Sequence, residues 1–392
     1  MIRMSTTSLR PGMVIGKPVF NVRGDMLLGR GVTLNDFYIL KLEKFGISSV
    51  YIQDDSHEDV IPNDNIPDAM RSSVLQNFST LGDVVDDLKK EMRDDSFRAI
   101  RSAIGSGQFQ QTFKSHPVFT RLKQDVFNIV EELLDGDAVI GLNSIKTFDT
   151  YTFQHSIDVC IVSIMIGRAI GFSKTRLREL GLGSILHDIG KILLPKEVVL
   201  KRGNLTSEEM NIIQQHPEIG FEILRELPGI GVLPPHVILQ HHEKQDGTGY
   251  PRGLKGTNVI TISSGNSMST HLYSDICAVA DVFDALSSDK VYNRSLLPEE
   301  VITVMRGLKG THLNRQVLSE FFKITPVYPK GNCIVVKSGE YTNYIGVVTT
   351  VNQSDFERPN IRLIYGPEKK AIDPIDLFLS NHPNIKIQNI LL

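Results

Sequence analysis

The stretch His241-His242-Glu243-Lys244-Gln245-Asp246-Gly247-Thr248-Gly249-Tyr250-Pro251 constrains this chain more than any other. Before it, Pro235 to Gln240 reads as a helix start with an apolar face, and Gly247, Gly249 and Pro251 end the helix. Two histidines therefore stand side by side at a helix end. Successive helical residues point about 100° apart, so the pair serves one metal poorly, whereas two neighbouring metals could each take one. The plain alternative is two unrelated polar residues at a helix end. Partners elsewhere in the chain decide between these.

Such partners are concentrated in one helical segment. His155 precedes the apolar helix 157–170, His187-Asp188 follows a helix carrying Leu177, Leu180 and Ile185, and His216 precedes Pro217. Asp281 lies in the apolar run Cys277 to Phe283, where a carboxylate is costly to bury unless paired or bound to a metal. Taken singly, His187 could be a core residue, His216 a loop residue, and Asp281 a cap or a partner of Lys290. The remaining histidines, 57, 116, 236, 271, 312 and 382, need no ligand role. Together, five histidines and two aspartates exceed one open catalytic site, which uses about three or four protein ligands. If Asp188 bridges through both oxygens, each of two metals receives about four protein ligands. Imidazole and carboxylate without thiolate suit iron, manganese, nickel or zinc, and the need for open substrate positions favours iron or manganese.

Around this segment the chain changes character. Residues 1–60 read as a small α/β module, with strand composition at Met13–Phe20 and Val50–Ile52 and a helix capped by Asn35 that carries Phe37, Leu40, Leu42 and Phe45. Residues 61–117 are a helical linker. Met70, Val74, Phe78, Leu81, Val85, Leu88 and Met92 recur at close to the 3.5-residue period of a coiled coil, interrupted by Gly82. Packing on its own domain is the simpler reading, and a homodimer through residues 70–92 is the alternative. Residues 118–325 form a helical body, and 326–392 a β-rich extension with runs at 333–336, 346–351 and 360–365. The fold expected is mainly α.

Composition bounds the function. A net charge of −3 offers no polycationic surface for a nucleic-acid polymer. The three cysteines, 160, 277 and 333, lie far apart in apolar runs and read as free thiols of a reducing compartment. The best apolar run, Val159 to Ile166, is far short of the ~20 residues that span a bilayer. No signal peptide is evident, so a cytoplasmic protein without membrane insertion is expected.

The ordered motifs His187-Asp188-Ile189-Gly190-Lys191, His216-Pro217-Glu218-Ile219-Gly220, His241-His242-Glu243 through Pro251, and Ala280-Asp281-Val282-Phe283-Asp284-Ala285-Leu286 resemble the HD-GYP domain. This is the branch of the HD phosphohydrolase superfamily that hydrolyses cyclic di-GMP. The resemblance runs from about 118 to 325. It implies an HD-type helical bundle and metal ligands at His155, His187, Asp188, His216, His241, His242 and Asp281. It places His241 and His242 on the same ion, with His216 as companion and Asp188 shared with the neighbouring ion. Asp188 and Lys191 take catalytic roles, and Lys191, Gly249, Tyr250, Lys290 and Arg294 contact substrate. The products implied are pGpG and, after a second cut, GMP.

Some positions depart from the family pattern. Tyr151 stands where some relatives place a glutamate for a third metal, so a two-metal site is expected. Lys290 and Asn293 replace basic or arginine positions, and lysine offers phosphate a point charge and no bidentate fork. Ser263 to Leu272 form an insertion of about ten residues that could be a flap, and Asn314 stands where an aspartate is usual. A receptor that senses cyclic di-GMP without turnover, and a hydrolase for a mixed GMP–AMP cyclic dinucleotide, are the rival readings.

Overall fold

The computed structural model describes residues 1–392 apart from 22–24, 46, 48, 54–58, 62–63, 92–96, 105–110, 112–115, 141–150, 202, 226, 262–268, 288–295 and 391–392. The chain opens with β1 (Ile2–Ser5), β2 (Val14–Ile15), β3 (Val19–Phe20) and β4 (Met26–Leu28). Helix α1 (Asp36–Lys44) and β5 (Ser49–Gln53) follow. The order β1-β5-β2 forms an antiparallel sheet, and β3 pairs with β4. The expected strand at 13–20 is thus two short strands, parted at Gly16-Lys17-Pro18. Asn35 caps α1 by accepting from the Tyr38 amide at 2.9 Å. Of the apolar residues expected to bury this helix, only Leu42 does so; Phe37 and Leu40 are 66 % and 63 % exposed. A short helix can meet a three-stranded sheet along one line only, and that line runs through Leu42.

Helices then dominate: α2 (Asp68–Glu91), α3 (Phe97–Ile104), α4 (Val118–Asp135), α5 (Tyr151–Ile170), α6 (Lys174–Ile185), α7 (Lys196–Val199) and α8 (Ser207–Ile213). After these come α9 (His216–Leu224), α10 (Leu233–Gln240), α11 (Leu272–Ser287), α12 (Pro298–Gly307) and α13 (Arg315–Phe322). Ser173 caps α6, Thr206 and Glu209 form a capping box on α8, and prolines occupy the first turns of α9, α10 and α12.

One contiguous core runs from Ile66 to Ile324, and the stripe of α2 belongs to it. Val74, Phe78, Leu81 and Val85 are buried, with Met70 and Leu88 packed alongside. Each such side chain stabilises by ~1.5–3 kcal/mol when removed from water. The stripe is therefore consumed within the chain, and a dimer through 70–92 would have to give up that burial. Residue 92 lies outside the described residues, and the helix continues through Gly82 without a break. Polar ties reinforce the docking. Arg71 pairs with Asp158 of α5 at 2.7 Å with both buried, and Ser73 and Asn77 donate to Asp125 of α4 at 3.0 and 2.6 Å. Helix α2 thus forms part of the outer layer of the helical body.

Helix α5 is the one stretch among the described residues long and apolar enough to cross a membrane, longer than the apolar run 159–166 suggested, and 78 % of that window is buried inside the fold. The C-terminal strands β6 (Cys333–Ser338), β7 (Ile345–Thr350), β8 (Asn360–Tyr365), β9 (Ala371–Phe378) and β10 (Lys386–Ile390) form an antiparallel sheet in the order β10-β6-β7-β8-β9. The two outer strands had no counterpart among the expected runs. Strand β9 carries Pro374 and is mostly exposed, as an edge strand can be. Asn389 of β10 donates to Glu299 at the start of α12 and to the Val327 carbonyl. Ile2, Cys333 and Ile364 cluster, and Arg362 bridges Asp59 and Asp376, so the N-terminal module docks on this sheet.

Candidate metal centre

Several element ends and one helix face converge at the middle of the body. His155 comes from the first turns of α5. His187 and Asp188 occupy the turn between α6 and the 3-10 segment Ile189–Leu193. His216 opens α9, His241 and His242 close α10, and Asp281 projects from α11. Gly190 makes the convergence possible. A Cβ there would lie 2.1 Å from the His216 carbonyl oxygen and 2.9 Å from the Gly220 nitrogen. Only glycine lets the 3-10 segment lie on the start of α9, which brings His216 Nε2 within 3.2 Å of Asp188 Oδ1.

The imidazoles are oriented by one repeated device. Nδ1 of His187, His216 and His241 lies 2.8, 2.7 and 2.7 Å from the carbonyl oxygen three residues earlier, at Ser184, Ile213 and Ile238. A carbonyl can only accept, so Nδ1 carries the proton and Nε2 presents a lone pair. His155 uses a carboxylate instead, with Nδ1 at 2.7 Å from Asp284 Oδ2. Its Nε2 lies 3.1 Å from Asp281 Oδ1 and 3.9 Å from Asp188 Oδ2.

The donor set fits divalent cations. His187 Nε2 and Asp188 Oδ1 are buried without a hydrogen-bond partner. His216 Nε2 and His241 Nε2 are 3.2 Å apart, lone pair towards lone pair. Buried acceptors facing each other are costly unless a cation lies among them. Two groups have ligand atoms all within 4.8 Å: Asp188, His216, His241 and His242, and His155, His187 and Asp188. Asp188 belongs to both. Asp281 lies between them, with its second oxygen 4.0 Å from His242 Nδ1.

Electrostatics follow from burial and charge. Burial, then the neighbouring imidazoles, hold His241 well below the usual histidine range; burial also lowers His216 and, with His216 beside it, brings His242 to about 3. These three are neutral and ready to ligate. For His155, burial disfavours the charge, but hydrogen bonds to Asp281 and Asp284 outweigh it and raise it to about 10. Burial would raise Asp188, but Lys191 and His187 hold it well below the carboxylate range.

Lys191 Nζ lies 2.6 Å from Asp188 Oδ2, so it is paired at the centre and a quarter exposed. Tyr250 stacks obliquely on His242, ring centroids 4.7 Å apart at 30°. Gly249 has an internal reason: a Cβ there would lie 2.4 Å from the Lys244 nitrogen and 2.5 Å from the His242 carbonyl oxygen, so the loop's own backbone requires the glycine. Lys290, Asn293 and Arg294 lie outside the described residues, as does most of the insertion at 263–272.

Sequence reasoning gave no role to Asp284 or to Glu243. Asp284 follows Asp281 by one helical turn and so shares its face, which was the available signal. Glu243 is buried and accepts from the Arg252 and Leu254 amides, both at 2.8 Å, folding the Gly249-Tyr250-Pro251 loop back on itself.

The HD domain family model matches residues 151–317. Cyclic di-GMP phosphodiesterase PA4108 of Pseudomonas aeruginosa is 32 % identical over 238 residues, 61 % of this chain and 54 % of that protein. A cyclic di-GMP phosphodiesterase of Thermotoga maritima is 36 % identical over 216 residues, 54 % of this chain and 53 % of that protein. The 3′3′-cGAMP-specific phosphodiesterase 1 of Vibrio cholerae is 33 % identical over 177 residues, 45 % of this chain and 38 % of that protein. The chain spans about half the length, or less, of these curated relatives. Residues 151–317 of the helical body match the HD domain family, and the order His187-Asp188, His216-Pro217, His241-His242 and Gly249-Tyr250-Pro251 resembles that of the HD-GYP branch.

Proposed function

We propose that this chain is a metal-dependent phosphodiesterase that hydrolyses cyclic di-GMP to pGpG, with GMP from a second cut. The observation that carries this reading is the shared carboxylate: Asp188 stands in both ligand groups, which supports reading them as one centre for two cations. We infer two divalent ions per chain, iron or manganese, since imidazole and carboxylate without thiolate suit both. His155 and His187 would hold one, His216, His241 and His242 the other, with Asp188 shared and Asp281 at their common edge. When bound, such a pair supplies a water acidic enough to attack phosphorus near neutral pH, and positive charge for the phosphate oxygens.

The chain's own groups do the rest. The carbonyls behind His187, His216 and His241, and Asp284 behind His155, hold the imidazoles in place, so little reorganisation is needed when substrate arrives. Lys191, at the rim of the centre, would meet a non-bridging phosphate oxygen. Tyr250 offers a ring face to a guanine base. Lys290 and Arg294 are assigned to substrate phosphate on the motif resemblance alone. The free, buried cysteines support a reducing, cytoplasmic location.

Similarity to a 3′3′-cGAMP-specific enzyme favours one further reading, in which the mixed dinucleotide is the substrate. The test is to measure bound metal, then follow both dinucleotides by chromatography with the wild type and Asp188→Ala. Turnover of cyclic di-GMP that is lost in Asp188→Ala supports the proposal. Turnover of the mixed dinucleotide alone moves the substrate. Tight binding without turnover by metal-loaded protein makes the chain a receptor, and about one metal per chain removes the binuclear centre.

A further inference from the structure

Asp275 is a buried carboxylate on α11 that the metal centre does not use. It lies nearly two turns before Asp281 and accepts hydrogen bonds from two side-chain amides. Gln245 Nε2 donates to Oδ1 at 2.9 Å, and Asn314 Nδ2 donates to Oδ2 at 2.8 Å. Gln245 belongs to the loop that carries Tyr250, and Asn314 is the N-cap of α13.

Both amides are locked in orientation. The Gln245 carbonyl oxygen accepts from the Asn258 amide at 3.0 Å, and Gly256 packs so closely that any Cβ there would overlap the Gln245 side chain. The Asn314 carbonyl oxygen accepts from the Gln316 and Val317 amides at 3.0 and 3.2 Å. Neither amide can flip without losing those bonds. Position 275 must therefore offer an acceptor to each amide and a donor to neither, which only an ionised carboxylate does. Burial pushes Asp275 up to about 6, against the lowering influence of Asn314, Thr270 and Gln245, so it is ionised at neutral pH.

We propose that Asp275, Gln245 and Asn314 form a buried latch that sets the position of the 243–258 loop, and that Asp275 is a positioning residue for the substrate-facing Tyr250. The latch ties three elements at one point: the loop, the helix that bears Asp281, and the helix that follows Gly310-Thr311-His312-Leu313. Backbone bonds extend it, since the Asp246 amide donates to the Thr311 carbonyl at 2.9 Å and the Asn258 side chain donates to the Gly310 carbonyl at 3.1 Å. The role in substrate binding rests on the phosphodiesterase reading; the latch itself does not.

The donor count gives a discriminating test. Asp275→Asn turns one acceptor into a donor and sets two donors against each other. Adding Asn314→Asp restores both amide-to-oxygen bonds. The carboxylate so placed at position 314 can accept from the new amide at position 275 with one oxygen and cap α13 with the other. Hydrogen exchange of the 243–258 amides, metal content, and KM and kcat for cyclic di-GMP are measured on the full chain. Expected is about tenfold faster exchange in the loop of Asp275→Asn and about tenfold higher KM, with metal content and kcat held. The double variant should return both to the wild-type values. Wild-type exchange in Asp275→Asn overturns the latch, and so does a double variant that stays loose. If Asp275→Asn alone does not fold, a folded double variant with wild-type exchange supports the latch and an unfolded one overturns it. A loosened loop with unchanged KM overturns the positioning role. Absence of turnover in the wild type sinks the phosphodiesterase reading instead, and the exchange measurement still decides the latch.

Discussion

His216 and His241 approach each other through bare Nε2 atoms at 3.2 Å, each with its Nδ1 proton committed to a backbone carbonyl. Neither ring can rotate to donate without abandoning that carbonyl. Both are buried, and burial keeps both neutral. The fold therefore holds two lone pairs in opposition, an arrangement that a cation turns from a cost into a gain.

Removing divalent cations should lower the stability of the protein. A cation bound at a hundredfold excess over its Kd stabilises by ~2.7 kcal/mol, and more at higher excess. Thermal unfolding with and without chelator measures this. An unchanged Tm in protein shown beforehand to be metal-loaded would falsify the reading of these rings as ligands.

Asp284 should matter through His155. With Nδ1 of His155 at 2.7 Å from its carboxylate, Asp284 fixes the ring and raises its basicity. Asp284→Leu should reduce metal affinity by about 10–100-fold, while Asp284→Asn, which still accepts a hydrogen bond, should lose less. Metal titration with circular dichroism as a folding control separates this from unfolding. Equal affinity in all three proteins would remove Asp284 from the site.

Arg71 and Asp158 are both buried, and removing only the guanidinium takes the cation away from a buried carboxylate. Arg71→Leu should cost about 3–5 kcal/mol, whereas Arg71→Leu with Asp158→Leu should recover much of it. Urea unfolding measures both. Because Asp158 lies one turn after His155 on α5, the single variant should also weaken metal binding. A single variant as stable as the wild type would show that α2 does not brace the centre.

Metal binding should release a proton. His155 is held at about 10 in the metal-free centre, so it is charged near pH 7, and a ligating nitrogen must be bare. His216, His241 and His242 are lowered and contribute no proton. Calorimetric titration in two buffers of different ionisation heat should give about one proton per chain at pH 7, with affinity rising as pH rises towards 10. For the metal-free protein the sign is opposite. A raised histidine contributes stability that is fully present below its unfolded value of about 6.5 and is lost as pH rises through about 10. Metal affinity independent of pH over this range would contradict the charge assigned to His155.

What the sequence determined by itself is what local order encodes. Asn35 announced a helix start, β-rich apolar runs announced β6, β7 and β8, and His187-Asp188, His216-Pro217 and His241-His242 announced candidate ligands at element ends. Caps, periods and turn residues act over a few positions, so a linear reading reaches them. The tertiary structure alone decided which faces meet. The stripe of α2 could have bound a second copy, and it packs on α4 and α5 because Arg71, Ser73 and Asn77 find buried carboxylates there. Phe37 and Leu40 look like core and lie outside it. The i−3 carbonyls behind three imidazoles depend on how each helix end is turned towards the centre. The Asp284 carboxylate behind the fourth, and the paired donors on Asp275, are contacts between groups up to 129 residues apart. No local period carries such pairings; they exist only once glycines such as Gly190 have let the backbones close.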